Sequence, residues 1–284
     1  MLTKQFLENF LKSKFSDQNI VFEGEGWGSF AFSAGENIIR FPKTYDISSY
    51  KKEEYILNFL QDKISFEIPK PKIVYDNPTY IIHKKLLGES WSVNSYNKLS
   101  VNEKNLFCED IAKFFYEMHS VKLNELDKKF IKKQDLLTFD NFIDFLKDDF
   151  SSFEIEKLYN YYLKVKNAGS DYVLVHQDFY EANSLVDKNH RLKAIFDFGN
   201  CEVAERCIEF RTLDYDFYKD LFERVLSIYE TISNIKINVD RIKELNSVDT
   251  FGCLNYLNSD KKLKESMKKS WDECIEKIRN IKLN

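Results

Sequence analysis

The sequence predicts an α+β protein with two unlike parts, a small strand-rich N-terminal part and a larger, mostly helical C-terminal part. Between Ile20 and His83, short apolar runs alternate with turn residues, which is typical of an antiparallel sheet. From Lys98 onward, apolar residues mostly recur at helical spacing. With 284 residues the chain can bury a large core, either as one two-lobed domain or as two small domains.

Composition and charge are those of an ordinary soluble globular protein, with 43% hydrophobic and 31% charged residues. A net charge of −4 argues against a general nucleic-acid binder, and no apolar run reaches the length of a membrane-spanning helix. The five cysteines include no C-x-x-C pair, so we expect free thiols in a reducing cytosol. These observations predict a cytoplasmic protein with no nucleic-acid or membrane partner. The absence of a heptad seam predicts a monomer.

The N-terminal part is predicted to contain an amphipathic helix, five strands and a second helix. Three glycines at alternate positions, Gly24, Gly26 and Gly28, stand between the first two strand-like runs. Ser48 or Ser49 can cap the second helix. The remaining elements are predicted as a helix over 2–14, a strand over 37–41, a helix over 48–63 and strands over 72–75 and 79–83.

The C-terminal part is predicted to be helical except for a strand and a hairpin near its middle. Ser100 and Glu103 form a capping-box pattern that opens a helix ending near His119. A short apolar run over 173–175 is typical of a buried strand. Hairpin strands are predicted over 184–187 and 192–196, and further helices over 139–166 and 260–282.

The stretch 173–199 carries the strongest functional signal. It contains H-x-D-x-x-x-x-N, with His176, Asp178 and Asn183, followed by D-F-G beginning at Asp197. In this signature one aspartate receives the proton of a substrate hydroxyl, while an asparagine and a second aspartate hold Mg²⁺. The predicted hairpin returns Asp197 to the side of Asn183, which would give Mg²⁺ two oxygen ligands. Both fragments, in order and at strand ends, predict a phosphotransfer site.

These motifs resemble those of the aminoglycoside phosphotransferase family, whose fold is that of the protein kinases. The resemblance covers nearly the whole chain and is loose outside the motifs. It implies an N-terminal nucleotide-binding lobe over 1–83 with a five-stranded antiparallel sheet, a hinge over 84–88 and a helical C-terminal lobe over 89–284. The C-terminal tryptophan, followed by acids and then I-R-N-I-K, resembles the aminoglycoside 2″-phosphotransferase subgroup.

The resemblance implies a site for ATP or GTP in the N-terminal lobe. The three glycines and Ser29 resemble the loop that covers the phosphates, although a glycine-rich stretch alone is more typical of a plain hairpin. The order of the strands places the hinge after His83, so the backbone of Lys84 and Leu86 is expected to bind the base. In the catalytic loop, we expect His176 to shape the loop more than to transfer protons.

Two basic and two acidic residues compete for the ion pair that positions the phosphates in this fold. Arg40 occupies the place of the usual lysine, with Lys43 as the rival candidate. Glu53 aligns best with the partner glutamate, with Glu54 as the alternative. An arginine keeps the charge of a lysine but spreads it over a planar fork.

The chain departs from the usual family sequence on the side of the acceptor. Gln177 stands where glycine or asparagine is common. Asn200 replaces an acid, Glu205 and Glu209 replace aspartates, and Arg206 replaces a proline. Acids near such a site suit a cationic amino sugar, although a single acid on a helix is more often solvated. The candidate substrate-binding residues are Asn200, Glu202, Glu205, Asp214, Asp216, Trp271 and Asp272.

Three functions remain open from the sequence. The first is a Mg²⁺-dependent antibiotic kinase that acts on an aminoglycoside. The second is a kinase of choline, homoserine, a sugar or a macrolide; the aromatic content of 15% is compatible with a cage for a quaternary ammonium group. The third is a catalytically weak nucleotide-binding module, which the intact Asp178, Asn183 and Asp197 argue against.

Overall fold

The computed structural model of the protein describes residues 3–26, 28–134, 146–214, 216–258 and 268–281, with all their side chains except those of 216 and 255–258. Parts of the two helices predicted over 139–166 and 260–282 therefore lie outside the described residues. None of the described helices is long and apolar enough to cross a membrane.

The N-terminal lobe is built on a five-stranded antiparallel sheet, which confirms the predicted fold class. The strands lie in the order β1-β2-β3-β5-β4. Their bounds are β1 Ile20–Glu25, β2 Ser29–Ala34, β3 Asn37–Pro42, β4 Lys72–Val74 and β5 Tyr80–Lys84. Two helices accompany the sheet, α1 Lys4–Lys14 and α2 Ser48–Leu60.

The two helices cover opposite faces of this sheet. Tyr80 packs in one cluster with Leu7 and Leu11 of α1, whereas Ile81 packs in another with Tyr50 of α2. Because neighbouring residues of a strand point to opposite faces, the sheet is buried on both sides. This double burial explains why its strands are mostly continuous apolar runs.

The first turn of α2 differs from the prediction. The helix begins at Ser48, but neither Ser48 nor Ser49 caps it. The carboxylate of Asp46 accepts the backbone N–H of Ser48 at 2.8 Å instead. A carboxylate in this position also interacts favourably with the positive end of the helix dipole.

The C-terminal lobe is mostly helical and contains two small two-stranded sheets. Strand β6 pairs with β9, and β7 pairs with β8 as the predicted hairpin. The helices are α3 Val93–Asn97, α4 Val101–His119, α5 Ser152–Asn167, α6 Lys219–Ser233, α7 Val239–Asn258 and α8 Lys268–Arg279. The strands are β6 Tyr172–Val175, β7 Ser184–Val186, β8 Leu192–Ile195 and β9 Glu202–Glu205, and a 3₁₀ segment spans Arg206–Leu213.

Helix α4 is the centre of this lobe. Both bonds of the predicted capping box, between Ser100 and Glu103, are present at its start. Its side chains Phe114, Phe115 and Met118 are completely buried in the main core. A helix buried in this way provides a rigid base for the loops that pack on it.

The hairpin of β7 and β8 is fixed to its surroundings at two places. Arg191 donates from Nε and Nη2 to the carboxylate of Asp110 on α4, at 2.6 and 2.5 Å. Val186 exchanges two backbone hydrogen bonds with Glu89, at 2.8 and 2.9 Å, directly after the connection between the lobes. Both contacts lie near the turn of the hairpin, and the hairpin joins the two parts of the predicted catalytic motif.

Candidate active site

His176 lies at the base of the loop that follows β6 and is completely buried. Its Nδ1 accepts the N–H of Asp178 at 3.2 Å, and its Nε2 donates to the carbonyl oxygen of Phe196 at 3.2 Å. Burial lowers the pKa of His176, so the ring is neutral near pH 7. With both ring nitrogens bonded to the backbone, His176 acts as a positioning residue for Asp178 and for the end of β8.

Glu209, which was not among the predicted site residues, binds the backbone of the same loop. Its carboxylate is completely buried and accepts the N–H of His176 at 2.7 Å and that of Gln177 at 3.0 Å. Nε2 of His119 lies 3.6 Å from it. Burial raises the pKa of Glu209, but the contacts with His119 and with the His176 region outweigh burial and leave the pKa below its usual value. Its sequence signal was its position, where an aspartate is usual in the family.

Two residues of the site have a left-handed backbone, Gln177 with φ 67° and Asp197 with φ 64°. Glycine and asparagine adopt this conformation more easily than glutamine does, which explains why they are common at the position of Gln177. The Gln177 side chain offsets this cost through hydrogen bonds. Its Nε2 donates to Oε1 of Glu202 at 2.5 Å and to the carbonyl oxygen of Asn200 at 3.1 Å.

The structure brings Asp178, Asn183 and Asp197 together. Nδ2 of Asn183 donates to the carbonyl oxygen of Asp178 at 2.9 Å, and Nδ2 of Asn200 donates to Oδ2 of Asp178 at 3.3 Å. Burial, together with the charge of Asp197, raises the pKa of Asp178. The carboxylates of Asp178 and Asp197 therefore lie close enough to repel each other.

The same residues fit Mg²⁺. Because its Nδ2 is bonded to the backbone, Asn183 has its amide oxygen to offer as a ligand, and Asp197 offers a carboxylate. A cation between the lobes would relieve the repulsion that raises the pKa of Asp178. Within the described residues, no three His, Cys, Asp or Glu side chains form a metal cluster. Mg²⁺ binds few protein ligands and completes its shell with water and phosphate oxygens.

A cavity of about 360 Å³ lies between the lobes, and Asn183 and Asp197 line it. One end is polar, with Arg40 and Glu53, and the other is largely apolar. The full lining is Ile38, Arg40, Glu53, Pro69, His83, Lys85, Leu86, Asn183, Leu185, Phe196 and Asp197. A cavity with a charged end and an apolar end suits a nucleotide, whose phosphates and base need these two environments.

Arg40, rather than Lys43, makes the ion pair with α2. Nη2 of Arg40 lies 2.5 Å from Oε1 of Glu53, whereas Lys43 pairs with Glu25 of β1 at 2.5 Å. Glu54 instead accepts the N–H of Ile73. Nε of Arg40 is buried without a hydrogen-bond partner in the described residues. A buried donor of this kind fits a phosphate oxygen.

The glycine-rich loop joins β1 to β2 beside this cavity. Gly26 donates its N–H to the carbonyl oxygen of Ser29 at 2.9 Å, and Lys43 donates its N–H to that of Gly28 at 2.9 Å. A side-chain carbon added at Gly24 or Gly28 would meet nothing within 4 Å. Contacts within the protein therefore do not explain the glycines, and their role in binding phosphate stays a prediction.

The two residues whose backbone is predicted to bind the base do not both line this cavity. Leu86 lines the nucleotide cavity, and within the described ranges its N–H makes no hydrogen bond. The exposed side chain of Lys84 lines a neighbouring cavity, and its carbonyl oxygen accepts from Nδ1 of His83 at 2.9 Å. His83 and Lys85, which were not predicted as site residues, line the nucleotide cavity.

A second cavity of about 460 Å³ lies on the other side of Asp178. It combines acids and aromatic rings with one arginine, Arg211, which pairs with Asp249 at 2.8 Å. The lining is Gln177, Asp178, Tyr180, Glu181, Arg211, Thr212, Phe217, Tyr218, Asn246 and Asp249. Most of these residues come from distant parts of the chain and carried no sequence signal.

Two of the predicted substrate-binding residues are buried inside the C-terminal lobe and make contacts within it. The buried carboxylate of Glu205 accepts from Nε and Nη2 of Arg241 at 2.9 and 2.6 Å. Trp271 is buried in the main core. We correct both assignments, because a buried ion pair and a core ring are not available to a substrate without unfolding the region around them.

Among the described side chains, the other predicted substrate-binding residues are not in the lining of this cavity, but two of them contact residues that are. Asn200 contacts Asp178, as described above, and Asp214 accepts from the cavity residue Asn246 at 3.0 Å. Glu202 lines a separate cavity beside Lys52, and burial raises its pKa. Asp272 is exposed on α8. The side chain of Asp216 lies outside the described residues.

Comparisons with known proteins place this architecture in a family. A model of the phosphotransferase enzyme family matches residues 11–241. The ADP-bound structure of aminoglycoside phosphotransferase APH(2″)-Ib is 24% identical, with a TM-score of 0.76 over 97% of this chain and 98% of that one. The streptomycin–ATP–APH(2″)-IIa ternary complex is 25% identical, with a TM-score of 0.73 over 98% and 99%. A macrolide 2′-phosphotransferase type I is 14% identical, with a TM-score of 0.68 over 98% of each chain.

The fold and the site thus define a phosphotransferase with a protein-kinase-like architecture that acts on a hydroxyl group. Because the family model matches most of its length, the chain belongs to the phosphotransferase enzyme family. The predicted resemblance to aminoglycoside phosphotransferases is confirmed, and macrolide phosphotransferases share the fold.

Proposed function

We propose that this protein transfers the γ-phosphoryl group of ATP or GTP to a hydroxyl of an aminoglycoside antibiotic, and so acts as a resistance enzyme. The observation that carries the proposal is the position of the catalytic loop between two cavities. Asn183 and Asp197 line the cavity suited to a nucleotide, while Asp178 lines the one with acids and aromatic rings. A phosphoryl group held in the first cavity faces an acceptor in the second.

The roles of the residues follow from this arrangement. Asp178 orients the acceptor hydroxyl and takes its proton. Arg40, held by Glu53, binds phosphate oxygens. When bound to Asn183 and Asp197, Mg²⁺ supplies charge neutralisation for the triphosphate. Since the transition state for phosphoryl transfer is loose, alignment by the rigid loop contributes more than base strength.

The charges of the second cavity support a cationic acceptor. Three carboxylates, those of Asp178, Glu181 and Asp249, outnumber the single guanidinium of Arg211. Ammonium groups of an amino sugar can bind these carboxylates through charge-assisted hydrogen bonds. Because Arg211 already forms an ion pair with Asp249, an acceptor that takes the place of Arg211 needs a strong positive charge. Solved structures of similar proteins contain gentamicin and kanamycin.

The aromatic rings of the same cavity favour a second candidate function. Tyr180, Phe217 and Tyr218 line the cavity, and Phe217 is 61% exposed. An exposed ring beside acids also suits a quaternary ammonium group or the apolar ring of a macrolide. A kinase of choline or of a macrolide is therefore the alternative.

A panel of acceptors separates these functions. Release of ADP or GDP in the presence of Mg²⁺ is measured with kanamycin, gentamicin, streptomycin, choline, homoserine and erythromycin. We expect stimulation by one or more aminoglycosides. Asp249→Asn should raise the KM for the aminoglycoside about three- to tenfold, because a partly exposed charged contact is lost, with the KM for nucleotide unchanged.

The exposed acid Asp240, which lies on the same helix as Asp249, provides the matched control. Asp240→Asn removes the same charge from α7 without changing the lining of the cavity, so both KM values should stay at their wild-type levels. Stimulation by choline or erythromycin alone would overturn the aminoglycoside proposal in favour of the alternative. Binding of nucleotide without stimulation by any acceptor would favour a module with weak catalysis.

A further inference from the structure

The side chain of His83 lies on the wall of the nucleotide cavity at its apolar end. In the pairing of β3 with β5, Ile38 is opposite His83 and Arg40 is opposite Ile81. Alternate residues of a strand share a face, so Ile38, Arg40 and His83 point to the same side, and all three line the cavity. Two residues along a strand span about 7 Å. Phosphates bound at Arg40 therefore leave the purine to the end of the cavity where His83 lies.

The hydrogen bond of His83 fixes which of its nitrogens carries the proton. Nδ1 lies 2.9 Å from the carbonyl oxygen of Lys84. Because a carbonyl only accepts, Nδ1 must carry the hydrogen. Burial, together with the positive charge of Arg40, lowers the pKa of His83, so the ring is neutral near pH 7. Nε2 then has a lone pair and, among the described residues, no hydrogen-bond partner.

Charged neighbours do not change this assignment. Arg40 forms an ion pair with Glu53 at 2.5 Å at the polar end of the cavity, and Lys85 lies 3.6 Å from Glu23. The N–H of Lys85 is used by the carbonyl oxygen of Glu36 at 2.7 Å. The apolar end therefore presents Nε2 of His83 as an acceptor, whereas the Lys84 carbonyl oxygen is bonded to Nδ1 on the opposite side of the same ring.

We propose that His83 makes this enzyme select adenine over guanine nucleotides. The exocyclic amine of adenine carries N–H donors, one of which can donate to Nε2 of His83. Guanine has a carbonyl oxygen at the equivalent ring position, and this oxygen would face the lone pair of Nε2 without a hydrogen between them. A site whose buried polar groups are left unpaired rejects the wrong ligand. The inference rests on the proposed nucleotide site and names the donor that the site takes.

Equilibrium binding of ADP and of GDP to the full chain, without any acceptor, tests this selection. We expect the wild-type protein to bind ADP roughly tenfold more tightly than GDP, or better, as one mismatched buried polar contact predicts. His83→Leu keeps a side chain of similar size without a lone pair, and should bring the two affinities to within about threefold of each other. His83→Lys places a donor in the cavity and should reverse the preference toward GDP.

A second histidine gives the control for these variants. His190 lies in the β7–β8 turn, so His190→Gln should leave both affinities unchanged, and thermal unfolding checks that each variant is folded. Equal binding of ADP and GDP by the wild-type protein would overturn the inference, as would an unchanged ratio in both His83 variants. Binding of neither nucleotide would overturn it together with the proposed function. A preference for ADP without turnover of any aminoglycoside would leave the inference standing and refute only the proposed acceptor.

Discussion

Replacing Glu209 by glutamine tests whether one buried carboxylate holds the catalytic loop in place. The carboxylate accepts the N–H groups of His176 and Gln177, at 2.7 and 3.0 Å. Glutamine has nearly the same shape, but its amide has a single acceptor oxygen, so its NH₂ group must face one of the two backbone donors. Hydrogen bonds to charged groups contribute about 1.5–3 kcal/mol each, so we expect Glu209→Gln to lose about 2 kcal/mol of unfolding free energy.

The loss should be visible in turnover more than in nucleotide binding. Asp178 follows the two amides held by Glu209, and misplacing a catalytic group by a fraction of an ångström lowers the rate strongly, so kcat should fall roughly tenfold or more. Arg40 and Glu53 bind each other rather than Glu209, so the Kd for nucleotide should change little. Urea unfolding, steady-state kinetics and nucleotide titration measure the three quantities.

The stability of the protein at acidic pH gives an independent check of the same carboxylate. The pKa of Glu209 in the folded protein lies below its usual value of 4.5. Its contribution to stability is therefore complete above about pH 5 and is lost as the pH falls through the lower, folded value. Glu209→Gln should remove this part of the acid-induced loss of stability.

Glu205 provides a matched control, because it is also a buried carboxylate but binds Arg241 away from the loop. Glu205→Gln should destabilise the fold by a comparable amount while kcat stays within about twofold of wild type. The reasoning is refuted if Glu209→Gln keeps the wild-type kcat, or if Glu205→Gln lowers kcat equally.

Three further variants test other parts of the structure. Arg40→Lys loses the fork that joins Glu53 and the phosphates, and should raise the KM for nucleotide about tenfold in steady-state assays; an unchanged KM would contradict the role of Arg40. Trp271→Ala should destabilise the fold by about 3–5 kcal/mol in denaturant unfolding, with KM values unchanged. Asp110→Asn weakens the bond to Arg191 and should lower the unfolding free energy by about 1–3 kcal/mol, whereas an unchanged melting temperature would show that the hairpin does not need it.

The fold could be predicted well because its signals are local. The capping box of Ser100 and Glu103 marks the start of α4, and the apolar runs mark the strands. The order of the strands and the motif at Asp178 then select a two-lobed architecture. Where local signals compete, the prediction failed: Ser48 and Ser49 are good caps by type, but Asp46 makes the bond.

The candidate site was predictable only where one short stretch contains it. A single loop and hairpin join Asp178, Asn183 and Asp197. The spacing of these residues in the sequence therefore predicts that they lie close together in the fold. Arg211 and Asp249 meet across 38 positions of the sequence, and nothing in their local sequence marks the contact.

The charge of a residue was also an insufficient basis for predicting which acids bind the acceptor. Glu205 resembles an acid available to a cation, but Arg241 comes from a distant helix to neutralise it inside the lobe. Trp271 and Asp272 are neighbours in the sequence, yet one is in the core and the other in solvent, because adjacent residues of a helix lie on different faces.

The most direct test of the proposed function is detection of the phosphorylated acceptor. Wild-type protein and Asp178→Asn are incubated with Mg²⁺, ATP or GTP, and kanamycin or gentamicin, and the products are examined by mass spectrometry and ³¹P NMR. We expect a singly phosphorylated aminoglycoside from the wild type and none from Asp178→Asn, which should still bind nucleotide. An unmodified aminoglycoside after incubation with wild-type protein that binds nucleotide, or wild-type rates of phosphorylation by Asp178→Asn, would contradict the account.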